Sequence, residues 1–409
     1  MSITAVTASG RKRDVRLDFF RGIAMLIIFM AHMPDNLWQN FIPANFGPSD
    51  ATEMFVFCSG YASALAFGGI YSSHGFLIGT SRIAVRCFQV FWAHVGMFLA
   101  IAATLVVGTD VMAGLLEDPK NYVAALNLMH FMDDPMNGLV GLLTLTYVPN
   151  YFDILPMYLV LLAMIPVVML LARLHALAPI AAIAVLWLVN QAVDLQLPAE
   201  WWSDRTWFFD PFGWALIFFT GFAISIGWVK TPGPNRPLFW TAVAFVAIMV
   251  PLSYWPYASQ VDWIREFRVM FWPGFEKTDF GLLRYVHFLA LAYICITLLK
   301  GREDRLHHPL LRPVIKVGQQ ALATFVCSML LAQVGGMALD YLMRSPATFA
   351  LVNLTGFALL IGIAYAMAFF KRQPWRKPPA PKPALDVPST EDTTTNLSYL
   401  PEKRRRASA

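Results

Sequence analysis

The sequence predicts an all-α, polytopic membrane protein with about ten transmembrane helices and both termini in the cytoplasm. Three observations predict this. Hydrophobic residues fill 57% of the 409 positions and charged residues only 14%, whereas about a quarter of a soluble domain is charged. The mean hydropathy is +0.54. Apolar runs of roughly 20 residues, enough to cross the hydrocarbon of a bilayer, recur along the chain.

The runs lie at about 17–33, 51–70, 85–107, 153–173, 177–194, 212–229, 237–255, 280–299, 316–340 and 347–370. The stretch 138–148 is apolar but too short to cross, and is expected to form a re-entrant or interfacial helix. Lys and Arg fall in alternate connections and so set the orientation. One side carries Arg11, Lys12, Arg13 and Arg16, then Arg82 and Arg86, Arg173, Lys230 and Arg236, the series from Lys300 to Lys316, and Lys371 to Lys377. On the other side, 34–50 has neither Lys nor Arg, and 108–152 sets Lys120 against Glu117, Asp118, Asp133 and Asp134. The exception is 256–279, where Arg265, Arg268 and Lys277 stand among four acids. Three parts are expected: a basic cytoplasmic N-terminus 1–15, a membrane domain 16–372, and a Pro-rich, basic cytoplasmic tail 373–409 that lacks the apolar content to fold.

Composition also excludes classes. The net charge of +5 comes from short basic runs beside apolar segments, which suits a lipid bilayer and no nucleic acid. The four cysteines all sit in apolar stretches and show neither a disulfide framework nor zinc spacing, so no metal is expected. The first apolar run is not followed by a small-residue cleavage pattern and is expected to be retained. The outer connections are rich in Trp, including Trp38, Trp201, Trp202, Trp207, Trp255, Trp263 and Trp272. An interfacial aromatic belt explains them, and a platform for sugar rings is the alternative.

The first span holds two ionisable groups, Arg21 and His32, eleven residues apart. Eleven steps of about 100° return to nearly the same helical face, so Asp18, Arg21, Met25, Phe29 and His32 form one stripe about 16 Å long. Ionisable groups at membrane depth are costly and face a bundle interior or a wet cavity. The stripe is therefore expected to line the active site, with Arg21 inward and His32 outward. Glu53 enters on the second span at the depth of His32, where an acid can orient an imidazole as general base. Asp35, a turn past His32, is its rival. Glu53 also reads as the N3 member of a capping box begun by Asp50, and both roles can hold together. Arg82 and Arg86 share a face suited to phosphates, although positive-inside charge explains them nearly as well. Asp153 stands at the outer start of the fourth span. His94 and His287 are buried, with interhelical hydrogen bonding as their default. No Walker loop, dinucleotide fingerprint or Gly-x-Ser-x-Gly elbow is present.

At these residues a resemblance enters. Arg16-Leu-Asp-Phe-Phe-Arg21-Gly22, His32 and the block from Asn45-Phe-Gly-Pro-Ser-Asp50 to Ser59-Gly60-Tyr61 resemble the OpgC family, inner-membrane proteins that succinylate osmoregulated periplasmic glucans. Tyr151-Phe-Asp-Ile-Leu-Pro-Met-Tyr158 and Asp210-Pro-Phe-Gly-Trp214 support it, and the likeness runs from about 13 to 372. The chain is also similar to the wider membrane acyltransferase-3 group, marked by Arg, ten residues and His on the first helix. Arg82-Ile-Ala-Val-Arg86 departs from that group's arginine motif, because its Phe is missing.

The resemblance implies a multi-pass enzyme of the bacterial inner membrane that binds no resident cofactor. Its donor would be a cytoplasmic acyl-CoA, with succinyl-CoA as co-substrate, and its acceptor a periplasmic glucan hydroxyl. His32 would then be the catalytic base, oriented by Glu53 or Asp35. Substrate contacts are expected at Arg16, Asp18, Arg21, Asp50, Arg82, Arg86 and Asp153. The rival function is a transporter or flippase whose charges form a permeation path. A haem site on His32, His94 and His287 is disfavoured by their unequal membrane depths.

Overall fold

A computed structural model describes residues 14–376. Arg11, Lys12 and Arg13 and the tail 377–409, with its basic run 403–406, lie outside the described residues. The chain divides into two compact units, Met1–Ala368 and Phe369–Ala409. In the second, the rings of Phe369 and Phe370 lie 6.2 and 5.9 Å from that of Trp375.

Regular structure among the described residues is helical, apart from one isolated bridge between Pro198 and Thr206. The helices of eight or more residues are α1 (Val15–His32), α2 (Ala51–Ser63), α3 (Gly69–Ala113), α4 (Pro135–Thr144), α5 (Ile154–Leu171), α6 (Ala178–Val193) and α7 (Pro211–Ile226). They continue with α8 (Arg236–Ser253), α9 (Asp262–Met270), α10 (Leu282–Leu299), α11 (Arg312–Gln319), α12 (Ala321–Tyr341) and α13 (Pro346–Arg372). Among the described residues, six runs are long and apolar enough to cross a membrane: Ala51–Ala113, α5, α8, α10, α12 and α13. The shorter α6 and α7 are also apolar. This is a polytopic membrane protein.

Every apolar segment expected from sequence is helical, and the boundaries follow local chemistry. Asp14 caps α1 by accepting from the Arg16 N–H at 3.0 Å. Asp50 caps α2, Asp210 caps α7 and Asn235 caps α8 in the same way, each satisfying a donor that the first turn leaves open. The short apolar stretch forms α4 and ends at Leu145 in the left-handed region. Two boundaries differ from expectation. The connection expected between the second and third runs is helical, since α3 begins at Gly69 and departs from helical geometry at Gly75. The ninth run breaks at Gln320, which is not helical, so Gln319 closes α11 while Gln333 lies in α12.

Two features fix the centre of the bundle. Gly75, at φ +81°, turns the chain inside α3, a conformation that glycine adopts without the steric cost of a Cβ. The helices α2 and α7 touch backbone to backbone: a Cβ on Gly60 would lie 1.9 Å from the Phe218 carbonyl oxygen, and one on Gly221 2.3 Å from that of Phe57. Without a hydrophobic drive between helices in lipid, such small-residue contacts supply the packing. The same logic seats α11 on α1, since a Cβ on Gly318 would fall 1.8 Å from the Asp18 carbonyl oxygen. At the other end of α1, Met33 meets Gly335 of α12 and Pro34 meets Gly336. The start of α2 is thereby held beside the C-terminal end of α1.

Candidate active site

At that end of α1 lies a cavity of about 650 Å³. Its walls come from Ile28 and His32 of α1, from Asp50 and Thr52 at the start of α2, and from Tyr151, Asp153, Arg205–Phe209 and Lys277. A short strap covers it. The Ala199 N–H donates to the Arg205 carbonyl at 2.8 Å and the Trp207 N–H to the Leu197 carbonyl at 2.9 Å. Asp153 Oδ1 accepts from the Phe208 N–H at 2.9 Å and pins the strap to the start of α5. Glu200, bonded to Ser203, Arg205 and Asn127, closes the turn. Burial alone would raise the Glu200 carboxyl, but these partners hold it below its usual range.

His32 is the group in this cavity suited to take a proton. Its Nδ1 lies 2.8 Å from the Ile28 carbonyl oxygen. A carbonyl only accepts, so Nδ1 carries the proton and Nε2 keeps its lone pair. The Tyr151 ring meets the imidazole edge-on at 5.3 Å. Tyr151 sits at φ +72°, a region disfavoured for a bulky residue and found where a structure holds a side chain in place.

The acids expected to orient His32 hold other partners. Glu53 is fully buried. One of its oxygens lies 2.8 Å from Arg284 Nε and 2.6 Å from Nη2, and the other accepts from the Asp50 N–H at 2.7 Å. With both oxygens committed, Glu53 is a cap and an ion-pair partner, and the Ile28 carbonyl fixes the imidazole instead. Asp35 points away into a surface network, 3.0 Å from Lys120 and 3.6 Å from Arg344, which also bind Asp340. Asp50 completes the cluster at the start of α2. It lies 2.6 Å from Lys277 and 3.6 Å from Arg284, and accepts from the Thr52 N–H at 2.7 Å. Burial opposes its ionisation, but the two cations outweigh that and hold Asp50 well below the usual carboxylate range. Beside it, Ser49 Oγ meets His287 Nδ1 at 2.7 Å.

A second cavity, of about 330 Å³, runs along the other side of α2. Asp14, Arg16 and Leu17 from the start of α1 line one end, and Ser49, Asp50 and Ala51 the other. Between them Phe57, Cys58 and Tyr61 face Phe288 and Cys295, so the wall is almost wholly apolar. From Asp50 to Tyr61 the helix rises about 16 Å at 1.5 Å per residue. Asp50 and Ala51 line both cavities.

The expected stripe on α1 lines neither cavity except at His32. The exposed face is one residue over, at Leu17 and Phe20 below and Ile28 and Ala31 above. Helical phase explains the difference, because α11–α13 pack on the stripe: Asp18 meets Gly318, and Phe29 fills the hollow at Gly356. Arg21 lies within electrostatic reach of Cys58. Arg82 and Arg86 stand on the exposed part of α3, Arg86 bonded to Gln89 at 3.3 Å, and line neither cavity. Of the expected site residues, the cavities unite His32, Asp50, Asp153 and Arg16. Sequence reasoning missed Lys277, Arg205 and the Ser49–His287 pair. The signal for Lys277 was its place in 256–279, the one connection that broke the expected alternation of Lys and Arg.

The family model described as OpgC protein matches residues 13–372. The chain belongs to the OpgC family. No curated protein and no solved structure matches it. Membership makes this a membrane protein of a family whose activity is periplasmic glucan succinylation.

Proposed function

We propose that the protein is an inner-membrane O-acyltransferase that moves a succinyl group from cytoplasmic succinyl-CoA to a periplasmic glucan hydroxyl. One observation carries this reading: an apolar passage and a pocket lined by several charged side chains meet at the start of α2, beside a histidine with a free Nε2. The orientation in this reading has ten crossings, both termini inside, Arg16 at the cytoplasmic mouth and His32 at the periplasmic end.

The nucleotide of the donor stays at the cytoplasmic mouth, where Arg16 supplies a cation, while the pantetheine arm threads the passage toward Asp50. The glucan enters the outer pocket, whose Tyr151, Trp207, Phe208 and Phe209 offer apolar faces to sugar rings. His32 Nε2 takes the proton of one hydroxyl as its oxygen attacks the thioester carbonyl. The new C–O bond forms, the C–S bond breaks, and the imidazolium returns its proton to the leaving thiolate. The sugar need not enter the membrane, and the nucleotide need not leave the cytoplasm.

Purified protein in detergent, given succinyl-CoA and glucan, is expected to release free CoA thiol and yield glucan heavier by one succinyl group. Detergent removes every gradient, so this result excludes a pure transporter. No release of thiol with any acyl-CoA overturns the proposal.

A further inference from the structure

We propose that Lys277 is the specificity residue that selects a donor acyl chain ending in a carboxylate. This rests on the acyl-transfer reading above and assigns the part of the site that tells succinyl from an uncharged chain. A succinyl group brings an anion to the junction of the two cavities, and an anion out of water needs a cation with donors to spare.

Two cations line the outer cavity, Arg205 and Lys277. Arg205 is held in the strap by two of its five N–H donors: its Nε donates to Glu200 at 2.8 Å and its Nη2 to the Val148 carbonyl at 2.7 Å. Arg284, behind the junction, is buried against Glu53 and lines neither cavity. Lys277 differs. An ammonium has three donors, and Asp50, at 2.6 Å, is the hydrogen-bond acceptor its Nζ has among the described residues. The Phe209 ring lies beneath the cation at 5.6 Å. Two donors are left for the cavity.

Position makes the same choice. The partner of Lys277, Asp50, lines both cavities, so the ammonium stands where a chain leaving the passage enters the pocket. Its charge also acts on the His32 imidazole. In an extended succinyl group the carboxylate carbon is about 4 Å from the thioester carbon, three C–C bonds away. A chain held by its carboxylate at Lys277 therefore keeps its thioester close to the cavity that His32 also lines. Glucan hydroxyls are neutral and make no comparable demand for a cation.

The test compares donors of equal chain length: succinyl-CoA, its monomethyl ester and butyryl-CoA. The wild-type protein is expected to favour succinyl-CoA over the methyl ester by roughly 10- to 100-fold in kcat/KM, the range of a charge-assisted hydrogen bond. Most of the difference should fall in the donor KM. In Lys277→Met the preference should shrink to within a few-fold, and Lys277→Arg should restore part of it. A Lys277 that only stabilises the start of α2 would lower all three donors together and leave the ratio unchanged. That result overturns the proposal, as does equal use of the acid and its ester by the wild type. The wild-type comparison needs no substitution, so it decides even if Lys277→Met does not fold. Absence of transfer from every donor refutes the enzymatic reading, whereas transfer without preference refutes Lys277 alone.

Discussion

Replacing His32 by Asn separates the structural role of the imidazole from its chemical one. Nδ1 is tied to the Ile28 carbonyl at 2.8 Å, and an Asn amide places a donor near the same point. The hydrogen bond that ends α1 is thus retained, while the lone pair at Nε2 is lost. A positioned general base contributes typically 10²- to 10⁴-fold, or about 3–5 kcal/mol at 1.36 kcal/mol per decade. We expect kcat for succinyl transfer to fall by that factor with the donor KM nearly unchanged, because the passage along α2 is remote from the substitution. Thiol release from succinyl-CoA measures the rate, and thermal unfolding in detergent should show a melting temperature close to wild type. Residual activity within tenfold of wild type, in a protein that melts normally, refutes His32 as the base. A large drop in melting temperature refutes instead the reading that an Asn amide replaces the structural contact of Nδ1.

Other expectations follow from the same geometry. Removing one member of the buried Glu53–Arg284 pair leaves an uncompensated charge, so Arg284→Met should destabilise by roughly 3–5 kcal/mol, while Glu53→Gln with Arg284→Gln should recover much of the loss in a melting assay. Cys58 and Cys295 line the passage and Cys87 and Cys327 do not. Long-chain or succinyl-CoA should therefore slow maleimide labelling of Cys295 in a protein lacking Cys87 and Cys327, and unchanged labelling would count against a donor in the passage. Burial, aided by the nearby Asp279 charge, raises the Asp210 carboxyl from 3.8 to about 7. A raised carboxyl contributes stability fully below its ordinary value and loses it as pH climbs through the raised one. The wild-type melting temperature should thus fall between about pH 4 and 7 and level off above that, and Asp210→Asn should flatten the fall.

The helices were legible in the sequence because lipid imposes one rule on every crossing: a long apolar run with its backbone satisfied internally. The caps were legible too, since Asp50-x-x-Glu53 and Asp210-Pro signal a helix start from local residue types alone. The face of α1 was harder. Periodicity places Asp18, Arg21 and His32 on one stripe, but only tertiary packing says which face meets a cavity, and Gly318 and Gly356 gave that stripe to neighbouring helices. Lys277 was out of reach for another reason. Its partner is 227 positions away, and no local pattern encodes such a pair. The charges of 256–279 were still a clue. Arg265 pairs with Asp262, Arg268 donates to the Leu252 carbonyl, and Lys277 reaches Asp50, so each of these cations has its own partner.

The four charges at the start of α2 are a poor device for stability alone. Asp50 and Glu53 balance Lys277 and Arg284, yet apolar side chains of the same volume stabilise a protein interior about as well as a buried ion pair. What the charges supply is a fixed, neutral junction between an almost wholly apolar passage and a pocket that His32, Asp153 and Arg205 also line. Arg284 locks Glu53, Glu53 holds the Asp50 backbone, and Asp50 aims Lys277 at the cavity. In such a chain the deepest member is the most buried and least free, and the last has donors to spare. In the proposed reaction, a donor arriving along the passage would meet that last member with its carboxylate, and its thioester would then meet His32. The order of the residues along the path would be the order of the chemistry: recognition of the acid terminus, then attack at the carbonyl.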